Sequence, residues 1–483
     1  LRVFAFLFLL SFLGAIPSSF GQEQEFVAGP AYSDFQLTLA SGHRIEAMGP
    51  LFYSQHADPQ TAWGIPPIFT YSHESEAGWT EMDLFYPIAN YRRFGSEWHL
   101  QLMEMLNFDG GQTQDGDKTR QFTLFPIYFQ QRSSNPALNY TAFVPFYGHL
   151  VNRLFRDDAK FIMLPFYLQT RKRDVVTDNY FFPFFHRRHG DHLTGWQAFP
   201  IVGKEHKAPT LRTNNLDEVE TVGGYERTFY GWPSYVKAVS GVGTTNVETR
   251  LTLIPFYSEM RSPLRDETYY GWPFGYTKID DLQKGFKERA LFWPFFVKID
   301  GTVHERRVFP FYSHAQGTNA ENRYYMWPTY VRHHQKSKTF DRVNTRILFF
   351  LYTDNVETNT LGGGEVHRAD FWPFYAFRRD LSGDRRLQVF APMEPFFANN
   401  RAMAREYSPL WAVWRWEKNG KTGATSQSLL WNLYRREKTG NDKKFSLLFG
   451  IIRYQSTAEG RTWRLFWLPM GHKKQPHSAP ARS

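Results

Sequence analysis

The chain has 483 residues, a formal net charge of +10, 42% hydrophobic and 18% aromatic residues, and no cysteine. The length permits a large core or several domains, and the absence of thiols excludes disulfides, thiolate catalysis, zinc–cysteine centres and iron–sulfur clusters. A mean hydropathy of −0.50 excludes a bundle of membrane helices, and cations scattered at the ends of apolar runs, with no single basic stripe, argue against nucleic acid as a partner.

The first element is "LRVFAFLFLLSFLGAIPSSFGQEQEF". Arg2 precedes an apolar run from Val3 to Ala15, and Ser19 and Gly21 suit the positions before a cut near Gln22. This pattern predicts a secretory leader over 1–21, because the run is shorter than the roughly 18–20 residues that cross a bilayer as a helix. A lead-in segment, 22–44, follows.

From residue 45 to 472 the chain repeats itself. "TLFPIYF", "AFVPFYG", "IMLPFYL", "YFFPFFH", "LFWPFFV", "VFPFYSH" and "FWPFYAF" share an aromatic run with a central proline. Neighbouring prolines are mostly roughly 16–23 residues apart, and about 22 units are countable. "SEWHLQLMEMLN" (96–107) has some helical character but is in phase with the repeat and is read as strand. Later runs, such as "RILFFLYTD" and "SLLFGII", drop the proline and keep the aromatics. Segments rich in Gly, Asn, Asp and Lys separate the runs, as hairpin connections do. The fold class is therefore all-β, a repetitive antiparallel meander of about 20-residue units. Each unit is expected to be one strand of about ten to fourteen residues plus a turn, with the proline at mid-strand. A closed barrel is the leading expectation, and a propeller-like or layered bent-strand fold the alternative. Whether each proline bends one strand or turns a corner between two short ones separates them. The final residues, 473–483, are expected to be a disordered basic tail.

Within the repeat, "NFDGGQTQDGDK" places Asp109, Asp115 and Asp117 in a glycine-rich loop, oxygen ligands of the kind calcium takes, but without EF-hand spacing. "FFHRRHGDHLTGW" brings His186, His189, Asp191 and His192 into one expected turn. Three imidazoles and a carboxylate suit zinc, copper or nickel, although Arg187 and Arg188 add two positive charges there. Gly223–Gly224 and Gly362–Gly364 lack the context of a phosphate loop and read as connections. No Gly-x-Ser-x-Gly elbow is present, and Glu259, Glu305 and Glu394, near strand ends, form no pair singled out for glycosidic chemistry. In "SPLWAVWRWEK", Trp414 and Trp416 should share one strand face and Trp411 lie on the other, suited to sugar stacking, a membrane interface or core packing.

The expected function is a non-enzymatic cell-envelope protein, exported to the outer membrane or periplasm of a Gram-negative-type bacterium, a barrel acting as a narrow channel or structural element. The competing expectation is a soluble periplasmic or secreted propeller-like protein that binds glycan or protein through aromatic and basic loops. The partners these imply are outer-membrane lipid or envelope glycan, and the sequence requires no cofactor.

Overall fold

A computed structural model describes residues 27–28 and 31–470, apart from 113–115, 154, 214–218, 273, 398–399, 401, 459 and 467. The leader expected at 1–21 and the tail expected at 473–483 lie outside the described residues.

The prolines turn corners. In "KERALFWPFFVKIDG" the strand Phe286–Leu291 ends before the proline and a second strand, Phe296–Gly301, starts after it. Between them Phe295 N–H donates to the Phe292 carbonyl at 2.8 Å, and the Trp293–Pro294 peptide is cis, the arrangement of a turn with proline at its third position. Each repeat unit is thus a hairpin. The mid-strand proline and the strand of ten to fourteen residues are both corrected: strands are short, mostly five to eight residues, and 44 of them form one antiparallel sheet in which neighbours in sequence pair in space. In sequence the apolar run resembles one strand because its central four residues, though a turn, are as apolar as the strand ends flanking them.

Proline fits this corner because it lacks the N–H that the turn has no use for, while its carbonyl remains an acceptor. Phe182 N–H donates to the Pro165 carbonyl at 2.7 Å, Trp327 N–H to that of Pro310 at 2.7 Å, and Ala391 N–H to that of Pro373 at 2.8 Å. The ladder of the sheet therefore continues from turn to turn along this edge. Units without proline close the same corner with successive left-handed residues, such as Leu348 and Phe349 at φ 48° and 62°.

Side chains alternate between the two faces, and the pairing register fixes which residues share one. The face carrying Glu46 and Tyr53 also carries Thr70, Asp83, Ala142, Phe161, Phe229, Ala290, Asp370 and Arg415. Most of these are buried, so this is the inner face. An apolar cluster on it is formed by Tyr140, Ala142, Leu150, Ala159 and Phe161. Gly148 makes room for it, since a Cβ there would lie 2.2 Å from the Phe161 ring.

The two ends of the ribbon meet with this same face inward. Arg44 Nη1 donates to the Arg405 carbonyl at 3.0 Å, Asn432 Nδ2 to Glu46 Oε2 at 2.9 Å, and the Arg435 guanidinium lies 3.6 Å from the centre of the Phe35 ring. The sheet must turn back on itself for this to happen. Between the strands Arg385–Val389 and Trp414–Lys418 the chain makes an excursion with short helical turns at Met403–Tyr407 and Ser408–Trp411, and it packs into this junction. Among the described residues no strand pairing joins the ends, so side chains hold the junction where a closed barrel would have a hydrogen-bonded seam. Nor is the sheet divided into four-stranded blades.

Candidate functional site: an exposed aromatic edge

All of the aromatic turns lie along one edge of the sheet, because every second connection returns to it. Their side chains are not packed away. Phe181, Phe182, Phe184, Phe292, Trp293, Trp327 and Phe349 are each about half exposed, and Phe256 is 77% exposed. Neighbouring turns touch through their rings: Phe166 and Phe181 at 4.9 Å between centres, Phe309 and Trp327 at 5.7 Å, Trp327 and Phe349 at 5.7 Å.

The outer face adds an apolar row next to this edge. Register pairs Tyr257 with Tyr270 and Tyr270 with Tyr276, then Tyr312 with Tyr325 and Tyr325 with Tyr330. Ring centres along these pairs are 5.4–6.4 Å apart. Cross-strand aromatic pairs stabilise a sheet, but a ladder of them facing solvent is unusual. Towards both ends of the ribbon a second outer row is apolar as well, with Trp63, Tyr71 and Met82 at one end and Phe377, Trp416 and Trp463 at the other. Edge and rows together expose on the order of 2,000 Å² of apolar surface, several times the largest patch of an ordinary soluble monomer. At the opposite edge the turns are mainly polar, although Phe94, Phe155, Leu282, Leu361 and Leu381, and Leu211 and Val219 of a small hairpin, also expose apolar side chains there.

No family model matches the chain, and no curated protein matches it in sequence. The surface and the inner charges have to be read on their own chemistry.

The inner charges concentrate at the junction of the two ends, around a cavity of about 610 Å³ lined by Arg44, Arg378, Arg386, Arg415 and Arg435. Most of these cations already have carboxylates: Glu46 bonds Arg44 at 2.8 Å, Asp370 bonds Arg378 at 2.5 Å, and Glu437 bonds Arg435 at 2.5 Å. Burial pushes the Glu46 carboxyl up, but Arg44, Arg415 and Arg435 outweigh it and hold its pKa below the ordinary value. Burial also pushes Glu406 up, and there the nearby Asp83 and Glu81 leave it raised despite Arg405. These groups clamp the junction.

The expected metal ligands are not brought together. His186 and His189 both lie in the strand Phe185–Gly190 and, three residues apart, leave it on opposite faces. His186 Nδ1 lies 2.6 Å from Gln197 Nε2, and His189 sits 3.7 Å from Asp178. Asp191 and His192 form the two-residue turn at φ 49° and 55°, as a tight hairpin requires, and Lys207 Nζ donates to Asp191. Among the described residues no group of three or more His, Cys, Asp or Glu could hold a metal ion. Of the acidic loop, Asp109 bonds His99, Asp117 accepts from Ser134 Oγ at 2.8 Å, and Asp115 lies outside the described residues. Glu259 and Glu305 bond Arg261 and Arg307, while Glu394 accepts from Gln388, Ser408 and Trp411 inside the excursion. Trp414 and Trp416 do share the outer face, and Trp411 lies in the helical turn.

His186 matters for another group. Burial pushes the Glu205 carboxyl up, but His186 at 3.7 Å and Arg188 at 3.1 Å overcome it and bring its pKa down to about 2 from an ordinary 4.5. A folded-state pKa below the unfolded one stabilises above the unfolded value, and the gain disappears as pH falls through the folded value. Glu205→Gln should therefore destabilise the protein at neutral pH by about 2–3 kcal/mol. The deficit should shrink between pH 4.5 and 2, as read by urea unfolding at a series of pH values.

Proposed function

We propose that the protein is a non-enzymatic cell-envelope β protein that seats itself in a lipid layer by its aromatic edge. One observation carries this reading: apolar turns and an apolar outer row form a continuous exposed band along one edge of the sheet, while the other edge is mainly polar with scattered apolar side chains. Water is a poor solvent for such a band and hydrocarbon a good one. The backbone of the band satisfies its own hydrogen bonds from turn to turn, as a hydrocarbon environment demands.

The dimensions favour one leaflet over a full span. The four-residue turn and the strand residue beside it reach about 10 Å, whereas a membrane-crossing strand needs about nine to eleven residues and an apolar band of about 25 Å. No helix among the described residues is long and apolar enough to cross a membrane. The role this supports is structural, a β wall standing on a membrane, in preference to a spanning channel.

The purified full chain should float with phosphatidylcholine vesicles in a density gradient and resist extraction by salt and carbonate. Its tryptophan emission should shift to the blue, because Trp293, Trp327 and Trp372 stand in the band. A protein that stays soluble without detergent and at the bottom of the gradient overturns the reading.

A further inference from the structure

The outer face changes character one row in from the aromatic band. Two residues further along each strand, about 7 Å from the aromatic row, lie Lys160, Arg187, Lys204, Lys237, Lys278, Arg289, Lys298, Arg306, Arg323 and Arg332. Over the strands from Arg156–Ile162 to Phe340–Ile347 only Asp178 and Glu259 bring negative charge to that row. The acids of this face sit mainly one row farther from the band. Asp280 bonds Arg289 at 2.9 Å, and Asp300 bonds Arg306 at 2.7 Å and Lys298 at 3.2 Å. Away from the aromatic edge the order is therefore apolar, basic, and then a mixed row that holds most of the acids together with Arg171, Arg261 and Lys287.

The pairing makes the basic row costly to the fold. Lys278 is directly opposite Arg289, Arg289 opposite Lys298, and Lys298 opposite Arg306, so four adjacent strands carry four facing cations. Arg323 faces Arg332 in the same way. Like charges directly opposite on neighbouring strands destabilise a sheet, and two aspartates cannot neutralise four cations. Lys160, Lys204 and Lys237 are exposed and make no ion pair among the described residues, while the exposed Arg187 faces Asp178. A row that is unfavourable for folding, parallel to an apolar edge and one step away from it, is placed for a layer of negative charge just above hydrocarbon.

We propose that this basic row binds the phosphate groups of anionic lipid headgroups while the aromatic edge beside it occupies the acyl region. The proposal rests on the lipid-seated reading and adds the class of lipid. Cations close to an anionic membrane surface each strengthen binding severalfold, an effect that salt screens. The complex is thus expected to be tighter and salt-sensitive on anionic membranes, and salt-insensitive on neutral ones.

The test compares vesicles of phosphatidylcholine with vesicles that also contain phosphatidylglycerol. The wild-type chain should bind the mixed vesicles at least about tenfold more tightly at low salt, with the difference collapsing at high salt. The variant K160E/K204E/K237E changes exposed, unpaired positions and should keep the wild-type circular dichroism and unfolding midpoint. It should lose about tenfold or more of the preference for mixed vesicles and bind neutral vesicles as before. Equal wild-type binding to both vesicle types, or an unchanged preference in the variant, overturns the proposal. So does selective competition by inorganic phosphate over chloride at equal ionic strength, which would mark a site for free phosphate. The neutral vesicles report on the aromatic edge alone, so failure there counts against the lipid-seated reading and failure of the difference counts against the basic row.

Discussion

Replacing Phe181, Phe292 and Met326 together with aspartate should reduce binding to neutral vesicles by about a hundredfold or more while leaving the folded protein as stable as before. Each of these side chains opens an aromatic turn, each is about half exposed, and their φ angles are 48°, 48° and 47°. Large apolar residues are uncommon in the left-handed region, whereas aspartate and asparagine are several-fold enriched there. A fold optimised for stability alone would place Asp, Asn, His or Gly at these positions, as it does at Asp191 and His192 on the polar edge. The chain instead uses Phe or Met at several of these turns, among them Phe85, Met103, Met163 and Phe390, against local preference, and keeps glycine at Gly231 and Gly271. About 100 Å² of apolar surface lost from a phenylalanine amounts to about 2.5 kcal/mol of transfer free energy, so three such losses account for a hundredfold with a wide margin. The urea midpoint and the gradient flotation together decide it. Loss of binding with an unchanged or raised midpoint supports a surface kept for its contact with lipid. Retained binding ends that interpretation, and a large fall in midpoint shows instead that the aromatics hold the turns together.

Much of this architecture is legible in the sequence, and the part that is not has an identifiable cause. The spacing of the prolines gives the repeat, and the polar segments give one set of turns, because Gly, Asn and Asp mark the left-handed positions there. The second set escapes the same reading. "ALFWPFFV" contains no polar turn residue, so a turn whose side chains face an apolar environment looks like the middle of a strand. The signal was present in the proline itself, whose missing N–H is ill suited to a central strand. "SEWHLQLMEMLN" is in phase with the repeat, but it too holds two strands, parts of Glu97–Leu102 and Leu106–Gln112, around a corner at Met103–Met105. The basic row could not be found without register. Lys278, Arg289, Lys298 and Arg306 are scattered in the sequence, and only the antiparallel pairing sets them side by side. The histidine cluster illustrates the reverse error. His186, His189, Asp191 and His192 are close in sequence, but strand alternation sends the first two to opposite faces and a tight turn takes the last two.

Glu46 is the position at which one substitution should do most damage. Its side chain is almost completely buried, and it accepts from Arg44 Nε at 2.8 Å and from Asn432 Nδ2 at 2.9 Å, with Arg415 3.8 Å away. Arg44 and Glu46 belong to a strand at one end of the ribbon, and Arg415 and Asn432 to the other. Glu46→Leu fits an apolar side chain of similar volume but leaves buried guanidinium groups without their shared carboxylate. Breaking a buried ion pair by removing one partner costs about 3–5 kcal/mol, whereas replacing all its members together is often neutral. Glu46→Gln, which keeps a polar group for Asn432 and Arg44 and removes only the charge, should cost less. The larger consequence is mechanical. With no strand pairing between the ends among the described residues, nothing in their backbone ladder prevents the junction from opening once the clamp is lost. The Met403–Tyr407 turn should then become accessible, and limited proteolysis should cut near Arg405 much faster in Glu46→Leu than in wild type. A variant that is destabilised yet remains as resistant there as wild type would show that the excursion is held by its own contacts, the bonds of Glu394 to Gln388, Ser408 and Trp411, and that the ends can part without releasing it.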